Sequence, residues 1–126
     1  MNALLCRRAA VRALVLSEHD AVRRQLVAYL GRSSGLEVTG EPFRVAAIRE
    51  ARPQVLVLDL SGLGRDDLGR AITAAAEVGA RVIALASVHE PTAEREVVEA
   101  GGTYRLKTVG ADGLAEIVTT TGQPVA

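Results

Sequence analysis

The chain has 126 residues and a formal net charge of zero, with 15 basic and 15 acidic side chains. This length suits one domain with its own core, and the balanced charge gives no general attraction to nucleic acid or anionic membranes. Aromatic residues are 2% of the chain, which excludes modules that stack bases on aromatic platforms. Cys6 is the single cysteine, so no internal disulfide framework exists.

The first fifteen residues are interrupted by arginines and form too short an apolar stretch for a membrane span or a signal peptide. We therefore expect a cytoplasmic protein that binds neither membranes nor nucleic acid directly.

Apolar runs and amphipathic segments alternate along the chain, each pair separated by glycine, proline or polar residues. The pattern predicts strands over residues 12–16, 36–39, 55–60, 81–86 and 103–107. It predicts helices over residues 20–30, 43–51, 66–78, 91–100 and 111–119. Strict alternation of five strands and five helices predicts an α/β fold, a doubly wound parallel sheet with helices on both faces. We expect one domain over residues 12–119, flanked by tails at 1–11 and 120–126.

The run from Val55 to Leu60 is apolar in consecutive positions except at Asp59. Consecutive apolar residues are typical of a strand buried on both faces. An acid in such a run costs stability unless it is paired or used, so Asp59 is the leading functional candidate.

Function in an open parallel sheet lies at the carboxyl ends of its strands. The residues that follow or end the predicted strands there include Glu18, Asp59 and Lys107. Convergent carboxylates repel unless they share a proton or a cation, and Mg²⁺ prefers oxygen ligands. A carboxylate nucleophile, a divalent cation and a lysine together indicate a phosphoryl-acceptor site.

Four stretches, taken in order, resemble the response-regulator receiver domains of two-component signalling. Residues 14–23, with Ser-Glu-His-Asp after an apolar run, resemble the first strand, acidic pair and first helix of that family. Residues 36–41 resemble its second strand, 51–60 the strand with the phosphorylated aspartate, and 104–107 the last strand with its lysine. The resemblance spans almost the whole chain, residues 12–119.

The resemblance implies a flavodoxin-like (βα)5 fold with strand order 2-1-3-4-5. It implies that Asp59 is the phosphoacceptor and that Lys107 contacts the phosphoryl group. It also implies that Mg²⁺ is held by Glu18, Asp59 and the main-chain carbonyl of Ser61. The resemblance further implies that the chain is not an enzyme, beyond self-phosphorylation and autodephosphorylation.

The chain departs from the family pattern at two positions of the site. Ser17 stands where the family has the first of two acids, so we expect lower metal affinity. Ala86 occupies the position of the Thr or Ser that switches the domain in that family. Tyr104 matches the aromatic residue that takes part in the same switch. Ser87 is adjacent to Ala86, but neighbouring strand residues face opposite sides. We expect Ser87 to replace the missing hydroxyl only if the strand shifts or bulges.

Three functions are compatible with these residues. The first is a receiver that takes a phosphoryl group on Asp59 from a histidine kinase or phosphotransfer protein. Its output would be protein contact, including a homodimer through residues 91–118. The second is a degenerate receiver that binds a partner without phosphorylation. The third is a domain similar to anti-sigma-factor antagonists (STAS domains), suggested by residues 57–63 and 79–85, in which a serine would be phosphorylated.

Overall fold

The computed structural model describes residues 10–107 and 111–123. Strands and helices alternate throughout this part of the chain. The strands are β1 (Val11–Leu16), β2 (Leu36–Glu41), β3 (Val55–Asp59), β4 (Arg81–Ala86) and β5 (Thr103–Leu106). The helices are α1 (Asp20–Leu30), α2 (Val45–Ala51), α3 (Arg65–Glu77), α4 (Pro91–Glu99) and α5 (Ala111–Gly122).

The five strands form one sheet in the order β2-β1-β3-β4-β5, and every neighbouring pair is parallel. The order reverses direction between β1 and β3, so the carboxyl ends of these two central strands lie side by side. This arrangement confirms the predicted doubly wound, flavodoxin-like fold. The switch in strand order is where a sheet of this kind leaves an open crevice.

Helices cover both faces of the sheet, and successive side chains of the central strands therefore enter opposite core layers. Leu56 and Leu58 of β3 pack in the layer under α2, α3 and α4. Val55 and Val57 pack in the layer under α1 and α5. All four side chains are fully buried, as expected of a strand that is apolar at consecutive positions. The next residue, Asp59, continues this alternation toward the side of α1 and α5.

The first strand and the last helix differ slightly in length from the predicted elements. β1 begins at Val11 and α5 continues to Gly122, so both elements extend past the predicted limits of 12 and 119. Gly122 packs against the side chains of Val11 and Val55, which ties the end of α5 to the sheet. Residues 1–9 and 124–126 of the predicted tails lie outside the described residues, and the domain limits stay a prediction. In the described part of the chain, no helix has the length and apolarity to cross a bilayer.

Candidate functional site

The site begins at the carboxyl ends of β1 and β3. The register pairs Leu16 with Leu58, so the next residue of each strand, Ser17 and Asp59, stands beside the other. Both belong to the same side of the sheet, because side chains alternate along each strand. The Ser17 hydroxyl donates a hydrogen bond to Asp59 Oδ2 at 2.7 Å.

Asp59 is a buried carboxylate with donors on both oxygens. Its side chain has no exposed area. Oδ1 accepts the main-chain N–H of Ser61 at 3.1 Å and lies 2.7 Å from Nζ of Lys107, while Oδ2 accepts the Ser17 hydroxyl. A buried carboxylate is tolerated only when it is paired and hydrogen-bonded, and these three donors satisfy that requirement.

The same contacts set the protonation of Asp59. Burial by itself would raise the pKa of this carboxyl. The hydrogen bonds from Lys107, Ser17 and Ser61, with the charge of Lys107, outweigh burial and lower the pKa below its usual value. Asp59 is therefore an anion at neutral pH, which is the form a nucleophilic carboxylate needs.

Lys107 reaches Asp59 from a non-adjacent strand. Its main-chain N–H donates to the carbonyl of Ala86 at 2.8 Å, which continues the β4–β5 ladder by one residue. β4 lies between β3 and β5, so the flexible four-carbon stem of lysine is needed to cross it. The ammonium also donates to Oγ of Ser61 at 2.8 Å. The side chain of Lys107 is 26% exposed, whereas that of Asp59 is fully buried.

Ser87 lies just beyond the end of β4 and joins the site through a second hydroxyl. Its Oγ is 3.0 Å from Oγ of Ser61, so a chain of polar groups runs from Ser87 through Ser61 to Lys107. Ala86 is 4% exposed and packs in the apolar layer on the opposite side. Ala86 and Ser87 therefore face opposite sides of the sheet, and Ser87 is linked to Lys107 through the hydroxyl of Ser61. The role of Ser87 as a replacement for the missing hydroxyl stays a prediction.

Tyr104 contacts the loop that connects β4 to α4. Its ring is buried, and its hydroxyl accepts the main-chain N–H of Glu90 at 2.9 Å and donates to the carbonyl of Val88 at 3.3 Å. The ring of His89 meets it edge to face, with centroids 6.1 Å apart. Tyr104 therefore holds the segment between β4 and α4 against the sheet.

Glu18 lies at the same edge of the sheet but turns outward. Its side chain is exposed, and no hydrogen bond or ion pair of Glu18 occurs within residues 10–107 and 111–123. The sequence predicted that Glu18 and Asp59 converge, whereas the contact observed is between Ser17 and Asp59. The role of Glu18 as a metal ligand stays a prediction.

The donors at this edge suit a hard cation by type. Glu18, Asp59 and the Ser61 carbonyl offer oxygen ligands of the kind that Mg²⁺ accepts, and the exposed Glu18 carboxylate is free of partners among the described residues. The described side chains nevertheless contain no group of three or more His, Cys, Asp or Glu close enough to hold a metal. The oxygen ligands fit Mg²⁺, but at Asp59 the cation would take the place of a hydrogen-bond donor.

Two hydroxyl contacts were not predicted from the sequence. By sequence, Ser17 is interpreted as a replacement for an acid and Ser61 as a source of a carbonyl oxygen for Mg²⁺. The structure shows the Ser17 hydroxyl on Asp59 and the Ser61 hydroxyl on Lys107. The sequence does carry a signal for the first contact. Ser17 and Asp59 each directly follow a leucine of a central strand, and these two leucines are partners in the register of β1 and β3.

No protein-family model and no curated protein matches the chain by sequence. Solved structures match its fold. The signal receiver domain of NarL from Mycobacterium tuberculosis has a TM-score of 0.78 and 25% identity, over 91% of this chain and 98% of that one. The response regulator domain of CheB from Thermotoga maritima has a TM-score of 0.76 and 19% identity, over 93% and 99%. A LuxR-family DNA-binding response regulator of Staphylococcus aureus has a TM-score of 0.77 and 17% identity, over 90% and 99%.

These similarities, with a parallel sheet in the order 2-1-3-4-5, show that the chain has the receiver-domain fold of response regulators. The resemblance inferred from the sequence is confirmed. These neighbours favour the receiver interpretation over the anti-sigma-factor-antagonist alternative.

Proposed function

We propose that the chain is the receiver domain of a response regulator and that Asp59 accepts a phosphoryl group from a histidine kinase or phosphotransfer protein. The observation that carries this proposal is the ion pair of Asp59 and Lys107, 2.7 Å apart at the carboxyl edge of the central strand. A buried anionic carboxylate beside a lysine is a group poised for nucleophilic attack on phosphorus. The domain acts in phosphorelay signalling and is not an enzyme in the usual sense.

In the transfer, a carboxylate oxygen of Asp59 forms a bond to phosphorus. The bond from phosphorus to the donor imidazole breaks, and its electron pair stays on that nitrogen. The product is an acyl phosphate on Asp59, whose added oxygens carry negative charge. The ammonium of Lys107, already 2.7 Å from Oδ1, neutralises part of that charge, and the hydroxyls of Ser61 and Ser87 are adjacent donors.

Mg²⁺ would be held by Glu18, Asp59 and the carbonyl of Ser61, and when bound it supplies positive charge to the phosphoryl oxygens. The residues of the chain prepare the rest of the site. Ser61 and Lys107 fix the carboxylate plane of Asp59 through Oδ1. Ser17 fixes Oδ2. Because the Asp59 side chain has no exposed area, a group around it must move before a phosphoryl donor can reach it.

Acetyl phosphate with MgCl2, followed by intact-mass measurement, tests the assignment. The expected result is a gain of one phosphoryl group in the wild type and no gain in Asp59→Asn. Asp66→Asn, an exposed acid at the start of α3, is the matched control and should still gain the group. A gain that persists in Asp59→Asn, or no gain in the wild type, would contradict phosphorylation at Asp59.

A second candidate is a receiver that works without phosphorylation. It is favoured by the Ser17 hydroxyl on Asp59 and by the absence of exposed area on the Asp59 side chain. Ala86, in place of a hydroxyl residue, adds to this interpretation, because an alanine cannot donate a hydrogen bond to a phosphoryl group. This candidate predicts no mass gain with acetyl phosphate and an oligomeric state that Asp59→Asn leaves unchanged.

The output in either case is protein contact, and we propose a homodimer through residues 91–118. Two apolar side chains on this face are exposed, Val98 of α4 by 54% and Leu106 of β5 by 36%. Residues 108–110 of the face lie outside the described residues. Sedimentation equilibrium over a range of concentrations, with Val98→Asp as the variant, tests the proposal. We expect the variant to weaken association, and a wild type that is monomeric with and without acetyl phosphate would refute it.

A further inference from the structure

Ser17 occupies the position from which a side chain reaches Asp59. Its hydroxyl donates to Oδ2 at 2.7 Å, while Ser61 and Lys107 act on Oδ1. We infer that Ser17 is a positioning residue that holds Asp59 in a closed state, defined as the state in which the Ser17 hydroxyl is bonded to Oδ2. Breaking this hydrogen bond limits the binding of Mg²⁺ beside Asp59. The inference takes from the proposed function only the location of the cation site.

The Ser17 hydroxyl is itself held in place. Ser17 has no exposed area, and its Oγ accepts the main-chain N–H of His19 at 3.2 Å. Its carbonyl accepts Nη1 of Arg23 at 2.9 Å, and Arg23 pairs with Asp20 on the same helix. The hydroxyl hydrogen of Ser17 has a second acceptor, the carbonyl of His19 at 3.4 Å, but Oδ2 of Asp59 at 2.7 Å is the nearer acceptor and carries the charge.

The closed state also weakens the attraction for a cation. Lys107, 2.7 Å from Oδ1, already balances the charge of Asp59. A hydroxyl hydrogen on Oδ2 presents partial positive charge on the other oxygen, where a cation would also have to bind. In the closed state Asp59 therefore has little uncompensated negative charge. Its side chain also has no exposed area, so Mg²⁺ must move a neighbouring group aside to reach it.

Ser17→Ala tests this competition, because alanine removes the hydroxyl and adds no ligand. If Ser17 closes the site, the variant should bind Mg²⁺ about tenfold more tightly than the wild type, since a hydrogen bond to a charged acceptor is lost from the closed state alone. Isothermal titration calorimetry with MgCl2 measures the affinity. Ser17→Thr keeps a hydroxyl and should retain the wild-type affinity.

Ser17→Asp gives a second measurement that does not depend on the alanine variant. It places a carboxylate beside Asp59, where two like charges repel unless a cation is shared. We expect an Mg²⁺-dependent rise in its thermal midpoint that the wild type lacks. Adding Asp59→Asn to this variant should abolish the rise. Ser34→Asp, at an exposed loop position, adds the same charge elsewhere and should show no rise.

Equal Mg²⁺ affinity in the wild type and a folded Ser17→Ala would overturn the inference, as would a wild type that binds as tightly as Ser17→Asp. If Ser17→Ala does not fold, a Ser17→Asp variant without any Mg²⁺ response overturns it instead. The outcome is separate from that of the proposed function. Tighter Mg²⁺ binding by Ser17→Ala, together with no phosphoryl gain on Asp59, would support the inference and refute phosphorylation.

Discussion

Lys107→Ala should destabilise the domain by removing the counter-ion of a buried carboxylate. Breaking a fully buried ion pair in this way costs about 3–5 kcal/mol. Lys107 is 26% exposed, and Asp59 keeps its contacts with Ser17 and Ser61. We therefore expect a smaller loss of about 2 kcal/mol in the free energy of unfolding at pH 7, because water and the two remaining donors offset part of the cost.

The assay is urea denaturation followed by circular dichroism, with the thermal midpoint as a second readout. A loss of this size should lower the midpoint by about 8 °C in a domain of this length. Asp59→Asn in the Lys107→Ala background should recover part of the loss, because the unpaired charge is removed. Arg49→Ala, which breaks an exposed ion pair with Glu77, is the matched control and should change the midpoint little.

The effect of Lys107→Ala should depend on pH with a defined sign. The pKa of Asp59 is lower in the folded state than its usual value. Its contribution to stability is therefore complete above the unfolded pKa, about 3.9, and is lost as the pH falls through the folded pKa. Removing Lys107 raises the pKa of Asp59 in the folded variant, because burial is then opposed only by Ser17 and Ser61. The stability difference between the wild type and Lys107→Ala should therefore be complete at pH 7 and should shrink as the pH falls and Asp59 takes up a proton. Equal stability of the two proteins at pH 7 would refute the ion pair in solution.

Gly122→Ala should lower the free energy of unfolding by about 1–3 kcal/mol, because an added methyl group clashes with Val11 in a packed region. Gly35→Ala has room for the methyl group and serves as the control in the same denaturation experiment; equal effects would contradict the docking of α5 on β1. Tyr104→Phe removes a hydroxyl bonded to the main chain of Glu90 and should cost about 1 kcal/mol. Hydrogen exchange should increase at the Glu90 amide, and unchanged protection there would contradict the role of this hydroxyl.

The alternation of elements was readable from the sequence because burial on both faces leaves a clear apolar pattern. The run from Val55 to Leu58 predicted a central strand, and the structure buries all four residues completely. The acid at the end of that run identified Asp59, since an unpaired carboxylate at such a position is too costly to keep. Lys107 followed from its place after the last strand.

The ends of the elements were less predictable, because apolar periodicity fades where a strand or helix leaves the core. α5 was predicted to end at 119, yet it continues to Gly122. The reason is a contact between residues that are far apart in sequence. Gly122 has no side chain, so the helix can approach Val11 at the start of the first strand. No local pattern reports such a contact.

The sequence by itself determined the class of fold, the polar edge of the sheet and the identity of its buried acid. Only the tertiary structure decided which neighbour of Asp59 would touch it. Ser17 and Glu18 are adjacent in the chain, but β1 ends at Leu16, and the two side chains that follow diverge. Ser17 keeps the alternation of the strand and meets Asp59, while Glu18 turns into solvent. The register of β1 against β3 determines which of the two side chains contacts Asp59. Register is a property of paired strands rather than of either strand alone.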